Sequence, residues 1–227
     1  MIYCRQGRGG VATRTYKNSL YAVMRDFFKR IVDIVISLLA IVILLPVFAV
    51  IIIAIKISSK GPAIFKQERA GKDGKPFVFY KFRTMKTDVE PFGPSPKSSD
   101  DPRLTKVGRF LREYSLDELP QLFNILKGDM SIVGPRPLWL SQMVEWNERQ
   151  KKRLLVNPGL TGLAQISGRG ELTREEKLEL DVKYVETAGF VADIKIILAT
   201  IARVFGRKSI YEKRYSETQY TRGKNKK

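Results

Sequence analysis

The sequence predicts an α+β chain in which one long apolar helix precedes a small, mainly helical domain carrying a β-hairpin. Three observations predict it. The run "IVDIVISLLAIVILLPVFAVIIIAIKI" (31–57) is almost wholly apolar. Two short β-type segments, "AIF" and "FVFYKF", then flank the turn-forming "GKDGKP". Beyond residue 104, apolar residues recur at helical spacing between glycine- and proline-rich turns.

In order, residues 1–24 read as a flexible basic leader, 25–60 as the membrane helix, 61–206 as the domain and 207–227 as a basic tail. The apolar run carries only Asp33 and Lys56 as charges and exceeds the roughly 20 residues that a membrane helix needs. Pro46 divides it. Proline removes a helical hydrogen bond and clashes with the preceding turn, so a bend is expected there. At about 1.5 Å per residue, neither piece alone crosses a hydrocarbon core of about 30 Å. Arg25, Lys29 and Arg30 precede the run, and Lys56, Lys60 and Lys66 follow it. A spanning helix concentrates positive residues on one side, whereas here both ends are basic. A re-entrant helix that bends at Pro46 and returns to the same face is the economical reading; a spanning helix with a proline kink is the alternative.

The hairpin follows. Residues 86–103, rich in Pro, Ser and Asp, read as a long surface loop and candidate lid. Helices are expected over 105–113 and from 116 to 127, the latter ending at Gly128. Residues 138–155 read as one amphipathic helix with Trp139, Met143 and Trp146 on one side; packing is the preferred reading for both tryptophans, with a place at the membrane interface as the alternative. The segment 157–170 is turn-rich. Residues 172–187 are helical with mixed charges, and a last helix over 190–205 puts Phe190, Ile194, Ile197, Ile201 and Val204 on one stripe.

Composition bounds the chemistry. The chain of 227 residues has 41 Lys and Arg against 23 Asp and Glu, a net charge of +18. Such an excess calls for a polyanionic partner: an anionic membrane, phosphorylated substrates or nucleic acid. Histidine is absent, which removes His triads and His metal sites. The single Cys4 excludes an intrachain disulfide and suits a reducing compartment. Carboxylates, amines, guanidinia, hydroxyls or a hard metal must carry any reaction.

Asp117 and Glu118, in "REYSLDELPQLFNILKGDMSIVGPRP" (112–137), are the outstanding pair. Pro120 is tolerated only in the first turn of a helix, which sets the start at Leu116 or Asp117. Both acids then sit at the positive end of the helix dipole, a place that also attracts phosphate. The competing reading is a capping box, with Ser115 as cap and Glu118 bonding back to it. Arg112 one turn earlier and the rigid turn "GPRP" (134–137), which would aim Arg136, favour chemistry. A carboxylate there is a candidate nucleophile toward phosphorus, and Mg²⁺ would offset its repulsion from an anionic substrate.

The motifs "FKRIVDIVISLLAIVILLPVF", "FKQERAGKDGKPFVFYKFRTM", "SLDELPQLFNILKGDMSIVGPRP", "NPGLTGLAQISGR" and "LELDVKYV" together resemble the bacterial sugar transferases known as monotopic phosphoglycosyl transferases, over roughly residues 27–205. The resemblance implies transfer of a phospho-sugar from a UDP-sugar to undecaprenyl phosphate with release of UMP, the first membrane step of capsule, exopolysaccharide or glycoprotein glycan synthesis. It implies a re-entrant anchor, interfacial amphipathic helices, and a catalytic domain on the cytoplasmic face of the bacterial inner membrane. Family members often carry Ser before the proline of the bend; this chain has Leu45 before Pro46.

By the same resemblance Asp117 is the nucleophile that forms a covalent phospho-sugar intermediate and binds Mg²⁺, and Glu118 is its catalytic partner. Lys81, Arg83, Arg112, Gly134, Pro135, Arg136, Pro137, Arg169 and Asp181 are the expected phosphate- or nucleotide-binding set. The bland readings are a solvated hairpin face for Lys81 and Arg83, a surface ion pair for Asp181 and a loop charge for Arg169. Two rival functions stand beside the enzyme. A membrane-tethered basic lipid-binding adaptor leaves the acid pair and "GPRP" idle. A nucleic-acid binder lacks any recognition motif. No nucleic acid is therefore expected among the partners, which are the UDP-sugar, undecaprenyl phosphate, membrane lipids and, compatibly with the sequence, further copies of the chain.

Overall fold

A computed structural model of the protein describes residues 20–89, 96 and 98–206. Most of the leader, the centre of the candidate lid (90–95 and 97) and the basic tail lie outside the described residues.

Helix α1 (Leu20–Ser58) contains the whole apolar run. Its turns continue through Pro46, so the two pieces read from the sequence form one helical element; proline costs it one internal hydrogen bond and leaves the flanking turns in place. Over Val23–Ser58 the helix is long and apolar enough to cross a membrane. One stripe is nonetheless covered. Asp33, Ser37, Ile41, Phe48, Ile51 and Ile55 are buried, at steps of three, four or seven residues that keep them on one helix face. The opposite face is bare, with Ile43 72% and Ile57 82% exposed.

Strands β1 (Ile64–Ala70) and β2 (Pro76–Phe82) form the predicted antiparallel hairpin, with Ile64 opposite Phe82. Side chains alternate across a strand. Phe77 and Phe79 face one way and pack with Ile41, Leu122, Ile125 and Met130. Lys81 is the next position in that row. Phe82 faces the other way, into Phe48, Ile55 and Leu111.

Helix α2 (Lys106–Glu113) is capped by Thr105, whose hydroxyl accepts from the Gly108 N–H. Helix α3 (Gln121–Lys127) ends at Gly128 in the left-handed region (φ 96°), with its N–H closing onto Asn124 and Ile125, the C-cap that glycine makes inexpensive. Strand β3 (Ser131–Val133) pairs in parallel with β4 (Gly159–Thr161), a contact between distant segments that three-residue strands do not announce.

Residues 138–155 are not one helix. They form a 3₁₀ turn (Leu140–Glu145), helix α4 (Glu148–Lys151) and a second 3₁₀ turn (Lys152–Leu155). Asn147 starts α4 as its cap, accepting from the Gln150 N–H, and so ends any helix arriving from Trp139. Trp146 is buried and lies 4.8 Å from the Arg153 guanidinium, while Trp139 sits under Arg69 at 4.2 Å. Both tryptophans pack, as expected.

Helices α5 (Leu163–Ser167), α6 (Arg174–Thr187) and α7 (Phe190–Gly206) complete the domain. Helix α6 carries a capping box between Thr173 and Glu176. Helix α7 buries Ile196 against Val133, Tyr184 and Val185. Most of its predicted stripe faces outward: Phe190 is 68%, Ile194 42% and Ile201 50% exposed.

Both ends of α1 are tied to this domain. Near its start, Lys29 pairs with Asp193, Arg30 donates to the Leu126 carbonyl at 2.8 Å, and Asp33 accepts from the Ile132 N–H at 3.0 Å. At its end, Arg83 donates to the carbonyls of Ser59 and Lys60 at 2.9 and 2.7 Å.

Candidate active site

The acid pair stands on a turn of its own. After α2 the chain reverses at Ser115, which adopts left-handed angles (φ 56°, ψ 19°) and makes no side-chain cap. Leu116, Asp117 and Glu118 then form a 3₁₀ turn, and α3 begins only after Pro120. The capping-box reading is therefore overturned: Ser115 Oγ accepts from Arg169 at 3.3 Å, and Glu118 reaches across to arginine and lysine. The predicted helix over 116–127 splits at Pro120 for the same reason. Leu116 and Leu119 pack into the core around Phe48, Phe82 and Leu111, which turns the residues between them toward β2.

There Lys81 meets both acids. Its Nζ lies 3.0 Å from Asp117 Oδ2 and 3.3 Å from Glu118 Oε1. Asp117 is 3% and Glu118 7% exposed. From the other side Arg136 donates to Glu118 Oε1 at 2.9 Å. Burial pushes the Glu118 carboxyl up, but Arg136, Lys81 and Arg169 outweigh it and hold the group well below the usual carboxylate range. Glu118 is thus a permanent anion at neutral pH.

Arg136 is aimed by a braced loop. Gly134 donates to the Thr161 carbonyl at 2.9 Å, and Gly159 donates to that of Pro135 at 2.8 Å. A Cβ on Gly159 would stand 2.1 Å from the Gly134 nitrogen, so only glycine permits this approach. Pro135 and Pro137 are buried on either side of Arg136. Beneath it Arg153, 3% exposed, donates to the Arg136 carbonyl and pairs with Asp181 Oδ2 at 2.7 and 3.1 Å. Burial raises the Asp181 carboxyl above its ordinary range, partly opposed by Arg153.

The structure thus brings together Lys81, Asp117, Glu118 and Arg136, with Arg169 beside Ser115 and Gly134, Pro135 and Pro137 forming the loop. Arg112 stands at the end of α2 with one buried guanidinium nitrogen unpaired among the described residues. Two expected site residues are placed elsewhere. Arg83 is spent on the end of α1. Asp181 is neither on the helix surface nor against the acid pair; it is the buried partner of Arg153. Sequence reasoning missed Arg153 itself, since one arginine within "KKRLL" carries no pattern, and missed the left-handed Ser115. A cleft lined by Arg25, Lys29, Tyr184 and Asp193 lies away from the acids. Its charges are paired internally, Lys29 with Asp193 and Tyr184 Oη donating to Asp193 at 2.8 Å.

The family model of the bacterial sugar transferases matches residues 24–207. The chain belongs to that family. It is 44% identical over 186 residues to the uncharacterized sugar transferase EpsL of Bacillus subtilis, covering 81% of this chain and 90% of that protein. It is 43% identical over 204 residues to the UDP-glucose:undecaprenyl-phosphate glucose-1-phosphate transferase of Escherichia coli, covering 86% of this chain and 44% of the relative. The galactosyl transferase CpsE of Streptococcus agalactiae is 41% identical over 204 residues, with 85% and 45% covered. The chain thus spans less than half the length of several curated relatives, and the site residues lie within residues 24–207, which the family model matches.

Proposed function

We propose that this sugar transferase moves a sugar phosphate from a UDP-sugar to undecaprenyl phosphate and releases UMP. The observation that carries the proposal is the buried Asp117–Glu118 pair, held between Lys81 and the braced Arg136. Relatives named for undecaprenyl-phosphate glucose-1-phosphate transfer support the two substrates.

In the proposed mechanism an Asp117 oxygen attacks the β-phosphorus of the donor. A phosphorus–oxygen bond forms, the bond to UMP breaks, and a phospho-sugar remains on the carboxylate. An oxygen of undecaprenyl phosphate then attacks the same phosphorus, the diphosphate-linked product departs and Asp117 returns as carboxylate. Arg136 and Lys81 stabilise charge on the phosphates. Arg112 and Arg169 supply further donors at the rim. Glu118, ionised and fixed, holds Arg136 in place.

Mg²⁺ fits the donor set. Two buried carboxylates already share a cation, the chain has no His, and no Cys lies among the described residues, so hard oxygen ligands are what this site offers. No group of three or more acidic, His or Cys side chains exists among the described residues. Asp117, with Glu118 beside it, would hold the ion, leaving its other positions to water and substrate. Bound there, it would neutralise charge on the donor diphosphate.

The anchor is proposed to be re-entrant, with the domain at the cytoplasmic face of the inner membrane. Two findings support this: both ends of α1 bind the same domain, and the outward faces of α1 and α7 are apolar. The exposed row on α7 suits a helix lying in the interface. A UMP-release assay across UDP-sugars tests the function, with glucose and galactose donors first. Release that requires undecaprenyl phosphate for repeated turnover is expected. No UMP from any donor would overturn it.

A further inference from the structure

Lys81 and Arg136 both contact the acid pair, but they are held differently. Arg136 belongs to a loop locked by Gly134, Gly159 and the Arg153–Asp181 pair. Lys81 is a compact ammonium on a flexible four-carbon stem, at the end of a strand row whose other members, Phe77 and Phe79, are packed into the core. Its Nζ covers Asp117 Oδ2 and Glu118 Oε1 together. Those are atoms that a divalent cation would use, and Oδ2 is an oxygen with which Asp117 would attack.

We propose that Lys81 and the divalent cation are alternative occupants of this one carboxylate pair, so that Lys81 shields the nucleophile until metal and donor arrive together. The proposal rests on the reading of Asp117–Glu118 as the phosphoryl-transfer site. Charge balance carries it. In the resting state the two carboxylates are neutralised by Lys81 and Arg136. A dication that takes the ammonium's place without a substrate leaves the carboxylate pair one charge more positive than in the resting state. A dication bound with a diphosphate restores neutrality, and the freed Lys81 then turns to the phosphates. Metal binding to the empty enzyme is therefore weak because of Lys81, although Lys81 is needed for transfer.

The test is a Mn²⁺ titration of the full chain without substrate, read by electron paramagnetic resonance, on wild type, Lys81→Met and Lys81→Arg. Removing the competing charge next to a dication should tighten Mn²⁺ binding about tenfold or more, while Lys81→Met loses turnover. Lys81→Arg, which keeps the charge, should bind Mn²⁺ within about threefold of wild type. A residue that merely supported the fold would give weaker binding on removal. Unchanged or weaker binding in a folded Lys81→Met protein overturns the proposal. Should that variant not fold, wild type decides: reductive methylation of Lys81, followed by peptide mass spectrometry, should rise as Mn²⁺ saturates, and constant labelling overturns the proposal. UMP release by wild type is scored separately, so failure of the gate and failure of the enzymatic reading are distinct results.

Discussion

Replacing Asp181 by Leu should unfold the brace beneath Arg136 rather than remove a substrate ligand. Asp181 and Arg153 are each about 97% buried and bonded at 2.7 Å. Taking away one partner strands the other as an uncompensated buried charge, which costs about 3–5 kcal/mol. In a domain of this size each kcal/mol lowers the midpoint by about 2–4 °C, so thermal unfolding in detergent should fall by roughly 6–20 °C. The double change Arg153→Met with Asp181→Leu replaces the pair by apolar groups of similar volume and should recover most of that loss, since such replacements are often neutral. The Arg136 carbonyl still loses its donor, so KM for the UDP-sugar should stay raised in the double variant. Differential scanning fluorimetry and UMP release measure the two effects. An Asp181→Leu protein as stable as wild type but inactive would refute the brace and return Asp181 to the substrate.

Three further outcomes follow from the geometry. Glu118 has a depressed folded pKa, so its stabilising contribution is present above the ordinary value of about 4.3 and is lost as pH falls through the folded value; the stability gap between wild type and Glu118→Gln should therefore close on acidification below about pH 4, and a gap that widens there would contradict the assignment. Cysteines placed at Phe28 and Lys60 in a Cys4→Ser background should be labelled from the same, cytoplasmic face of spheroplasts or inverted vesicles, while Pro46→Ala should favour a straight spanning helix; labelling of wild-type topology from opposite faces would exclude the re-entrant anchor. Excess EDTA should stop turnover and Mg²⁺ should restore it, and full activity in chelator would remove the metal.

Much of the fold was legible because it follows from short-range pattern. The hairpin announced itself by two apolar segments around "GKDGKP", and the end of α3 by Gly128, whereas its start, expected at Leu116 or Asp117, is Gln121. The acid pair was legible as well, though for a partly mistaken reason: Ser115 turns left-handed and leaves Asp117 and Glu118 on a 3₁₀ turn, not at an α-helical N-terminus. What failed was decided by contacts between distant residues. The β3–β4 pairing depends on Gly134 meeting Gly159. Arg83 was expected in the phosphate-binding set, yet it lies just past the end of β2 and is drawn to the carbonyls of Ser59 and Lys60, which follow α1. The stripe on α7 was correctly apolar, but periodicity cannot say whether such a stripe faces a core or a membrane.

The central claim is that Asp117 is a covalent nucleophile, and intact-protein mass spectrometry tests it most directly. Incubation with a UDP-sugar, without lipid acceptor, should add one sugar phosphate to the chain, release stoichiometric UMP and place the label on Asp117. The adduct should vanish on addition of undecaprenyl phosphate. Asp117→Asn preserves size and turn chemistry but removes the nucleophilic charge, and should give neither adduct nor turnover. A wild-type enzyme that turns over without any adduct, or an active Asp117→Asn variant, would contradict the account.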